Sequence, residues 1–445
     1  MSTLNVWMNG ELVGAWSVTR TGTHAFTYGQ SWVDSPNVRA LSLSLPITSD
    51  HEVRGAVVEH YFDNLLPDSI PIRERLRMRF GTRSTQAFEL LAAIGRDCAG
   101  AVQLLPPDTE PTGFNQIAST PLGNPDIDHL LRGLTLPAGR GAENPDHFRI
   151  SIAGAQEKTA LLRIGKKWHR PLGATPSTHI LKLPLGLVGG RQLDMAGSVE
   201  NEWLCAQIVE ALGLPVAATE MAVFGRQKVL VVERFDRKWM GASRTAADAW
   251  IARLPQEDFC QATGIAANRK YETDGGPGMQ RCLAILAGSE AADADRLRFI
   301  ESQLAFWLLA ATDGHAKNFS LFHKRSGAYS LTPLYDVISM WPVTGEGPGL
   351  LSPHDARLAM ALRVKNAHYR LMEIQTRHWR HLAETSGVPD AWNRLCALVE
   401  RVDGALEQVE KRLPADFPAA LWRKIGKGMR GQVKIFRGGL ATVGL

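Results

Sequence analysis

The sequence predicts a mixed α+β fold with a β-rich N-terminal part and a helical C-terminal part. At 445 residues the chain exceeds one typical hydrophobic core, which favours two or three domains. Short apolar segments bounded by turn residues predict strands near the N-terminus and again between about 148 and 235. Apolar residues at helical spacing predict helices in most of the remainder, and their proportion is typical of a globular protein.

Changes in these patterns divide the chain into four parts. Residues 1–107 contain the two-residue hairpin signal Asn9-Gly10 between apolar runs. Three helices are predicted after it, around 55–66, 70–80 and 85–94. Residues 108–145 are rich in turn residues and are predicted to connect this subdomain to the next. We expect a core that carries the functional site over 146–340 and an all-helical lobe over 341–445.

The most informative segment runs from Asp313 to Asn318, with the sequence Asp-Gly-His-Ala-Lys-Asn, and is followed by Tyr335-Asp336. Apolar residues from Leu297 to Ala311 recur at helical spacing, so a buried helix is predicted to end near Ala311. Asp313-Gly314 then breaks the helix and leaves Asp313 on a loop. Protein kinases place a catalytic base and their Mg²⁺ ligands at this spacing.

A predicted hairpin brings Asn318 and Asp336 together. Segments 319–323 and 328–332 have a strand-like composition, and the residues between them are typical of a turn. In the register that this turn sets, Asn318 lies opposite Pro333, just before Asp336. Two oxygen ligands at one end of a hairpin suit a Mg²⁺ ion that bridges phosphate oxygens. Taken alone, an Asp and an Asn at this spacing are more often ordinary turn residues.

The upstream half of the chain contains further elements in the order that kinases use. Phe148–Ile152 and Thr159–Ile164 are predicted strands, joined by a small-residue loop that can cover phosphates with its backbone N–H groups. The loop comprises Ala153, Gly154, Ala155, Gln156, Glu157 and Lys158. Lys182 lies in an apolar strand-like run, where it either reaches solvent from an edge strand or contacts ATP phosphates.

A helix and a strand complete this series. The helix is predicted from Ser198, its N-cap, to Leu212, and it carries Glu200 and Glu202, either of which is a candidate partner for Lys182. The apolar strand from Lys228 to Phe235 stands where a kinase has the hinge whose backbone binds adenine. An ordinary core strand is the alternative, and both descriptions can hold. The order of these elements is more specific than any one of them.

Seven longer segments carry a common pattern along the chain. They are FDNLLPD (62–68), IGRD (94–97), SIAGAQEK (151–158), VERFD (232–236), LPQED (254–258), YETDGGPG (271–278) and ATDGHAKNFS (311–320). In this order they resemble the HipA toxin kinases of bacterial toxin–antitoxin modules, from about Leu4 to about Pro418. The resemblance implies a two-lobed protein kinase-like fold, distantly related to phosphatidylinositol kinases, with a small N-terminal subdomain. It also implies a serine/threonine kinase that uses ATP and Mg²⁺.

The resemblance assigns a role to each site residue. Asp313 would be the catalytic base, and Asn318 and Asp336 would hold Mg²⁺. Ser151 matches the family's autophosphorylation site, where an added charge of about −1.5 to −2 would eject the phosphate loop and inactivate the enzyme. The nucleotide contacts implied are the loop 153–158 together with Lys182, Glu233, Arg234, Phe235, His315, Ala316, Lys317, Asn318, Tyr335 and Asp336.

Target and partners are implied by the same resemblance. HipA proteins phosphorylate aminoacyl-tRNA synthetases, with glutamate–tRNA ligase the expected one, and thereby block translation and growth. They bind a small helix-turn-helix antitoxin, HipB, and the complex sits on operator DNA. A catalytically silent co-repressor and a small-molecule kinase are the alternatives, and the intact catalytic and metal-binding residues argue against the first.

Charge is distributed unevenly along the C-terminal part. A formal net charge of +5 permits contact with nucleic acid without requiring it. One basic cluster, within 363–381, includes Arg377 and Arg380 and has Trp379 inside it, and a second lies within 423–434. Each is interpreted first as a solvated helical face, and the first cluster is also the candidate surface for DNA phosphates.

Cysteine and hydropathy patterns favour a cytoplasmic protein. The five cysteines are far apart and mostly lie in apolar helical patterns, which predicts free buried thiols in a reducing compartment. No Cys/His cluster has zinc spacing. No apolar segment is long enough to span a bilayer and no signal peptide is recognisable, so no membrane association is expected.

Overall fold

The protein is described by a computed structural model, which covers residues 2–136, 150–244 and 248–443. Its strands are β1 (Ser2–Met8), β2 (Glu11–Val18), β3 (His24–Tyr28), β4 (Glu52–Arg54), β5 (Val102–Leu105), β6 (Ser119–Leu122), β7 (Lys158–Ile164), β8 (Lys167–Pro171), β9 (His179–Lys182), β10 (Gly186–Val188), β11 (Leu193–Met195), β12 (Thr219–Phe224), β13 (Gln227–Glu233), β14 (Arg237–Met240), β15 (Trp250–Arg253), β16 (Gln256–Asp258), β17 (Ser320–His323), β18 (Tyr329–Leu331), β19 (Arg357–Arg363) and β20 (Ala367–Arg370). Its helices are α1 (Gln30–Val33), α2 (Ala56–Asp63), α3 (Ile70–Phe80), α4 (Ala87–Ile94), α5 (Asn124–Thr135), α6 (Ser198–Ala211), α7 (Phe259–Thr263), α8 (Met279–Leu286), α9 (Ala292–Leu309), α10 (Thr376–Thr385), α11 (Ala391–Glu400), α12 (Val402–Glu410) and α13 (Ala419–Val443).

These elements form two compact units. The first unit comprises Met1–Leu183, Ala222–Arg269 and Ser320–Tyr329. The second comprises Pro184–Met221, Lys270–Phe319 and Ser330–Leu445. Sheets dominate the first unit and helices dominate the second, so the predicted α+β class is confirmed.

The first unit begins with an antiparallel sheet of order β4-β3-β2-β1-β5. Asn9 and Gly10 join β1 to β2 with φ angles of 47° and 85°, the left-handed conformation that a two-residue turn requires. Apolar residues of α2 and α4 share a core with the sheet, and Trp16 stacks on Phe62 with ring centroids 4.0 Å apart. The predicted hairpin is confirmed, as are the three predicted helices, which correspond to α2, α3 and α4.

A second sheet of this unit contains the run β13-β9-β7-β8-β6. Its central strands are buried, and Ile127 and Leu131 of α5 pack with Leu161, Leu181 and Val231. The segment predicted as a connection therefore contributes β6 and α5 to this layer. Its abundance of turn residues concealed the helical spacing of its few apolar residues. The predicted strand 148–152 begins outside the described residues, and within them only Ile150 forms an isolated bridge, to Asp97.

Helix α9 is the centre of the second unit. All of its residues from Phe299 to Leu309 are buried, so the last three turns are surrounded by other parts of the protein. Trp307 packs against Trp379 of α10, and its carbonyl accepts a hydrogen bond from Gln432 of α13. The helix ends at Leu309, two residues earlier than predicted, because Ala310 adopts a left-handed φ of 48°.

The C-terminal part differs from two predictions. It is helical except for the antiparallel hairpin of β19 and β20, so the prediction of an all-helical lobe was wrong. The strand β19 is buried along most of its length, and a continuous apolar run of this kind does not separate strand from helix. Helix α6 begins at Ser198, whose hydroxyl accepts from the Leu185 N–H, so Gly197 rather than Ser198 is the N-cap.

The last helix, α13, gives a structure to the tail that had no predicted role. Its buried residues recur at helical spacing and are Ile425, Met429, Val433 and Phe436. The lysines and arginines of the second basic cluster lie on its exposed face, as the solvated-face interpretation predicted.

All five cysteines lie in the described part of the chain and are free thiols, four of them buried, as predicted. Over the described ranges, no helix combines the length and the apolar composition needed to cross a membrane.

Candidate active site

The loop after α9 presents Asp313 to solvent. The Asp313 side chain is 62% exposed, and it accepts a hydrogen bond from the Tyr271 hydroxyl. A glycine is required at position 314, because a Cβ there would lie 2.3 Å from the Phe306 ring. His315 Nε2 lies 3.9 Å from Asp313 Oδ1. An accessible carboxylate held in place by a hydrogen bond is suited to accept a proton from a substrate hydroxyl.

Asn318 and Asp336 lie side by side, as the predicted hairpin requires. Asn318 Nδ2 is 3.4 Å from Asp336 Oδ2 and 3.4 Å from the Asp336 carbonyl oxygen. Asp336 has a φ of 61°, a left-handed conformation that is uncommon for residues other than glycine. The predicted convergence of the two side chains is thus confirmed.

The donor set fits a small hard cation. Asn318 Oδ1 is buried and has no hydrogen-bond partner among the described residues, a costly state for an oxygen that no ligand uses. Among the residues that the structure describes, no group of three or more His, Cys, Asp or Glu side chains is arranged to hold a metal ion. A cation bound here would rely on one carboxylate, one amide oxygen, water and substrate oxygens, which is how proteins commonly hold Mg²⁺.

A polar clasp fixes the Asp336 loop to the helices beneath it. Ser339 Oγ donates to the Leu309 carbonyl at 2.6 Å, at the end of α9. Asn201 of α6 exchanges two hydrogen bonds with the Ser339 backbone, at 2.8 and 2.9 Å. Since all three residues are buried, the clasp sets where the loop that carries Asp336 can lie.

The residues between Asp313 and Asn318 are held through their backbone. Tyr335 donates its hydroxyl proton to the Lys317 carbonyl at 2.8 Å, and the Asn318 N–H donates to the His315 carbonyl at 2.9 Å. The Ala316 N–H donates to the Lys270 carbonyl at 3.3 Å. The structure therefore brings together Asp313, His315, Ala316, Lys317, Asn318, Tyr335 and Asp336, all within the second unit.

The small-residue loop after Ser151 lies in the first unit, where the N-terminal subdomain holds it. The Ser151 N–H donates to the Asp97 carbonyl at 3.1 Å, and its buried hydroxyl donates to the Leu65 carbonyl at 2.8 Å. The Asp68 N–H donates to the Gly154 carbonyl at 3.1 Å. Arg75 of α3 pairs with Glu157. The conformation of the loop thus depends on residues far away in the sequence.

Two lysines face each other beside this loop. Lys158 on β7 and Lys182 on β9 are direct register partners, so their side chains leave the same face of the sheet. Lys182 is only 6% exposed, and a Cβ on Gly154 would lie 2.5 Å from Lys158 Nζ. Strand β9 lies between β7 and β13, which excludes the edge-strand alternative for Lys182. Two lysines side by side on one face of a sheet suit contact with the oxygens of a polyphosphate.

The predicted hinge residues have unequal roles. The Glu233 side chain is 50% exposed at the end of β13, and Phe235 contacts Phe322 edge-on at 5.7 Å. The Arg234 N–H already donates to the Thr178 carbonyl at 2.9 Å, and its guanidinium is buried in an ionic cluster. The Arg234 side chain and N–H are therefore engaged within the protein, and its carbonyl accepts from the Arg237 N–H at 3.3 Å.

The ionic cluster joins the N-terminal subdomain to the end of β13 and to the β14–β15 hairpin of the same unit. Asp97 Oδ1 is 2.9 Å from Arg237 and 3.3 Å from Arg253, and its Oδ2 is 3.4 Å from Arg234. Asp236 pairs with Arg234 at 2.7 Å. Burial raises the pKa of Asp97, but the three guanidinium groups outweigh it and hold that pKa well below the usual range. The Asp97 carboxyl is therefore ionised at neutral pH.

The two candidate glutamates on α6 cannot be ranked by burial. Glu200 is 8% exposed and Glu202 is 3% exposed, and both belong to the second unit. The pairing of either one with Lys182 stays a prediction.

The first basic cluster surrounds an open cavity of about 460 Å³ in the second unit. The β19–β20 hairpin supplies Lys365 and His368, and α10 supplies Arg377, Arg380 and His381. The cluster is thus not a single helical face, and Trp379 is fully buried rather than part of its surface. Glu384 pairs with Arg380 at 2.7 Å and reduces the local positive charge.

Comparison with known proteins identifies the family. Residues 150–415 match the HipA-like C-terminal domain, and residues 4–105 match the HipA N-terminal domain. The chain belongs to the HipA family. A relative named putative kinase Y4mE, from Sinorhizobium fredii, is 34% identical over 415 residues, which are 91% of each chain. The serine/threonine-protein kinase toxin HipA of Shewanella oneidensis is 28% identical, over 76% of this chain and 75% of the relative.

A solved structure shows that the fold is also that of HipA. The Shewanella oneidensis HipA, in a complex with HipB and its operator DNA, superposes with a TM-score of 0.77 at 24% sequence identity. The match covers 98% of this chain and 97% of that one. The protein is accordingly a HipA-family kinase with a kinase-like α+β fold.

The motifs of the HipA family pointed to most of this geometry but not to all of it. Tyr271, Asn201 and Ser339 had no predicted role, although Tyr271 opens one of the seven segments quoted for the family. A tyrosine or a serine has no sequence signal that distinguishes a positioning hydrogen bond from an ordinary one. Tyr271, Asn201 and Ser339 come close to the candidate site only in the folded protein.

Proposed function

We propose that this protein transfers the γ-phosphate of ATP to a serine or threonine hydroxyl, with Asp313 as the catalytic base. The observation that carries the proposal is the group of Asp313, Asn318 and Asp336 on loops fixed at the end of α9. Asp313 would orient the acceptor hydroxyl and take its proton as the hydroxyl oxygen attacks phosphorus. Membership of the HipA family supports the same chemistry.

Asn318 and Asp336 are the proposed Mg²⁺ ligands. The buried Asn318 Oδ1 and the neighbouring Asp336 carboxylate suit an ion that keeps several waters. When bound, Mg²⁺ would neutralise charge on the β- and γ-phosphate oxygens. Tyr335 and the 315–318 segment would keep these ligands in place.

The nucleotide contacts in the first unit are proposed from its charge and shape. Lys182 and Lys158 would contact phosphate oxygens, and the N–H groups of Ala153 to Glu157 would cover them. The backbone around Glu233 and Phe235 would bind adenine.

The proposed target is an aminoacyl-tRNA synthetase, with glutamate–tRNA ligase the first candidate. The relative from Shewanella oneidensis is named a kinase toxin, and a toxin that blocks charging of a tRNA would stop translation. A co-repressor without catalytic activity is disfavoured by the fixed geometry of Asp313 and Asn318. A small-molecule kinase is the remaining alternative.

Autophosphorylation of Ser151 is the proposed means of inactivation. The Ser151 hydroxyl is buried and donates to the Leu65 carbonyl, so its proton is not accessible while the loop is in place. Once the loop has left and the serine carries phosphate, the added charge cannot return beside a buried carbonyl oxygen. The phosphorylated loop would then no longer cover ATP.

A HipB-like helix-turn-helix antitoxin and operator DNA are the proposed partners. The Shewanella oneidensis HipA forms such a complex. Arg377 and Arg380, beside the open cavity, are the proposed phosphate contacts. If they bind DNA phosphates, replacing both by glutamate should lower the salt dependence of binding by about one unit of slope for each arginine–phosphate pair removed. A slope equal to that of the unaltered complex would remove this surface from the DNA interface.

The experiment that tests the kinase proposal uses γ-labelled ATP, Mg²⁺ and a panel of host synthetases with their tRNAs. It is performed with the Ser151→Ala variant, so that autophosphorylation at this position cannot inactivate the enzyme. Label on one synthetase, absent with Asp313→Asn, supports the proposal and names the substrate. Label on a small molecule instead would favour the alternative function. No label on anything, in protein shown to bind ATP, would refute kinase activity.

A further inference from the structure

The Tyr271 hydroxyl is hydrogen-bonded to the carboxylate proposed as the catalytic base. It donates to Asp313 Oδ1. Because Asp313 is mostly exposed, little packing restricts its rotamer, and a directed hydrogen bond can decide it. The titratable and charged groups around this carboxylate include Tyr271, His315 at 3.9 Å and, over the Tyr271 ring, Lys270.

The segment around Tyr271 is itself held rigidly. On one side, the Lys270 carbonyl accepts from the Ala316 N–H, so the segment is joined to the loop that carries Asp313. On the other side, the Glu272 carboxylate accepts from the Ala361 N–H at 2.7 Å and from Arg363 Nε at 2.8 Å, both on β19. The Tyr271 ring packs edge-on against His315 with centroids 5.0 Å apart.

The glycine at position 278 makes this anchoring possible. A Cβ at position 278 would lie 2.4 Å from the Glu272 carboxyl carbon. The Gly276 N–H also donates to the Tyr271 carbonyl at 2.9 Å, so the backbone turns back on itself directly after Tyr271. The position of the Tyr271 hydroxyl is thus determined by the fold rather than by the Asp313 side chain.

We propose that Tyr271 is a positioning residue for phosphate transfer, an inference that rests on the kinase function proposed above. Its hydroxyl fixes Oδ1 of Asp313 and thereby the direction in which Oδ2 faces the acceptor. In the transfer step the acceptor oxygen forms a bond to the γ-phosphorus, and the bond from this phosphorus to the β,γ-bridging oxygen breaks. The acceptor proton passes to Asp313, and ADP leaves with the electron pair of the broken bond.

The test replaces the Tyr271 hydroxyl and keeps the ring. Tyr271→Phe retains the contact with His315 but cannot donate to Asp313. We expect the kcat for label transfer from ATP to fall by about ten- to hundredfold, the cost of a misplaced reacting group, with the KM for ATP within about twofold of the wild-type value. Tyr329→Phe removes a hydroxyl from β18 in the first unit, away from the Glu272 anchor, and should leave kcat unchanged.

Two further variants distinguish positioning from a general disturbance of the loop. In an Asp313→Asn background, Tyr271→Phe should cause no additional loss, because the two residues act as one unit. Gly278→Ala displaces the Glu272 anchor without altering Tyr271 and should lower kcat in the same way, so it carries the test if Tyr271→Phe does not fold.

The outcomes distinguish this inference from the function on which it rests. If Asp313→Asn is inactive while Tyr271→Phe transfers phosphate at or above the wild-type rate, the positioning role is wrong and the kinase proposal stands. If the wild-type protein itself transfers no phosphate although it binds ATP, the kinase proposal fails and this inference fails with it.

Discussion

At the scale of single residues, Asp97 stabilises the first unit through charge. It lies in the N-terminal subdomain and is surrounded by Arg234, Arg237 and Arg253 from other parts of the unit. Its carboxylate compensates three buried cations together with Asp236 and several backbone carbonyls. Removing one partner from such a cluster leaves an uncompensated buried charge, which is the costly case for buried ion pairs.

We predict that Asp97→Asn lowers the free energy of unfolding by about 3–5 kcal/mol, because Arg253 then loses its pair with this carboxylate and Arg234 and Arg237 keep only their pairs with Asp236. The measurement is urea denaturation of the full chain. The matched control is Glu89→Gln, which breaks the pair with the exposed Arg83 and should cost much less, because solvent screens a surface pair. Equal losses for the two variants would show that the buried cluster contributes no more than a surface pair.

His378 is a second residue whose charge state affects stability. Burial lowers the pKa of His378 from 6.5 to about 4, and His368, Arg377 and His381 nearby act in the same direction. Its Nδ1 accepts the Gln375 N–H at the start of α10, so protonation at this atom also removes a helix cap. The unfolded state therefore binds the proton more readily than the folded state.

Because the folded pKa lies below the unfolded one, stability supplied by neutral His378 is present above about pH 6.5 and is lost towards about pH 4. We expect a loss of about 1 kcal/mol, because solvent in the open cavity beside His378 screens part of the effect. We predict that His378→Asn, which keeps an acceptor and cannot titrate, removes this part of the pH dependence. The unfolding free energies of both proteins at several pH values test it; parallel curves would contradict it.

At the scale of elements, helix α3 and the turn before it act on the phosphate loop. Arg75 pairs with Glu157 at one end of the loop, and the Asp68 N–H binds Gly154 at its centre. A flexible loop would have to become ordered each time it covered a nucleotide, which costs conformational entropy. Contacts from the N-terminal subdomain order the loop before the nucleotide binds and so reduce that entropic cost.

We predict that Arg75→Ala weakens ATP binding by about three- to tenfold, equivalent to about 0.7–1.4 kcal/mol, because the loop then loses one of its anchors. Arg83→Ala, at an exposed position of the same subdomain, serves as the control and should bind ATP normally. Calorimetric titration of ATP with Mg²⁺ measures both variants. An unchanged affinity in Arg75→Ala would show that the N-terminal subdomain does not order the loop for ATP.

At the scale of the whole molecule, the order of motifs predicted the family, the α+β class and the convergence of Asn318 on Asp336. The family was indicated by the resemblance of seven segments, whereas the convergence follows from local spacing, such as the helical repeat before Asp313 and the hairpin after Asn318. Long-range contacts could not be predicted in this way. The burial of the Arg234 side chain depends on Asp97, which lies far away in the sequence. No local sequence pattern identifies Asp97 as its partner.

Two local patterns were also insufficient. The turn-rich segment 108–145 contains β6 and α5, whose apolar residues are few and become decisive only when they pack on the second sheet. The strand β19 has a continuous apolar run, which periodicity alone cannot distinguish from a buried helix. In both cases tertiary packing determined which secondary structure the segment adopts.

The proposed kinase activity depends above all on proton transfer to Asp313 during ATP-dependent phosphotransfer. The label transferred from γ-labelled ATP in a single turnover is compared between wild type and Asp313→Asn, after calorimetry has shown that both bind ATP with Mg²⁺. We predict equal binding within about twofold and a loss of at least about a hundredfold in the transfer rate, the usual contribution of a general base. An Asp313→Asn protein that transfers phosphate at the wild-type rate would show that Asp313 is not the base.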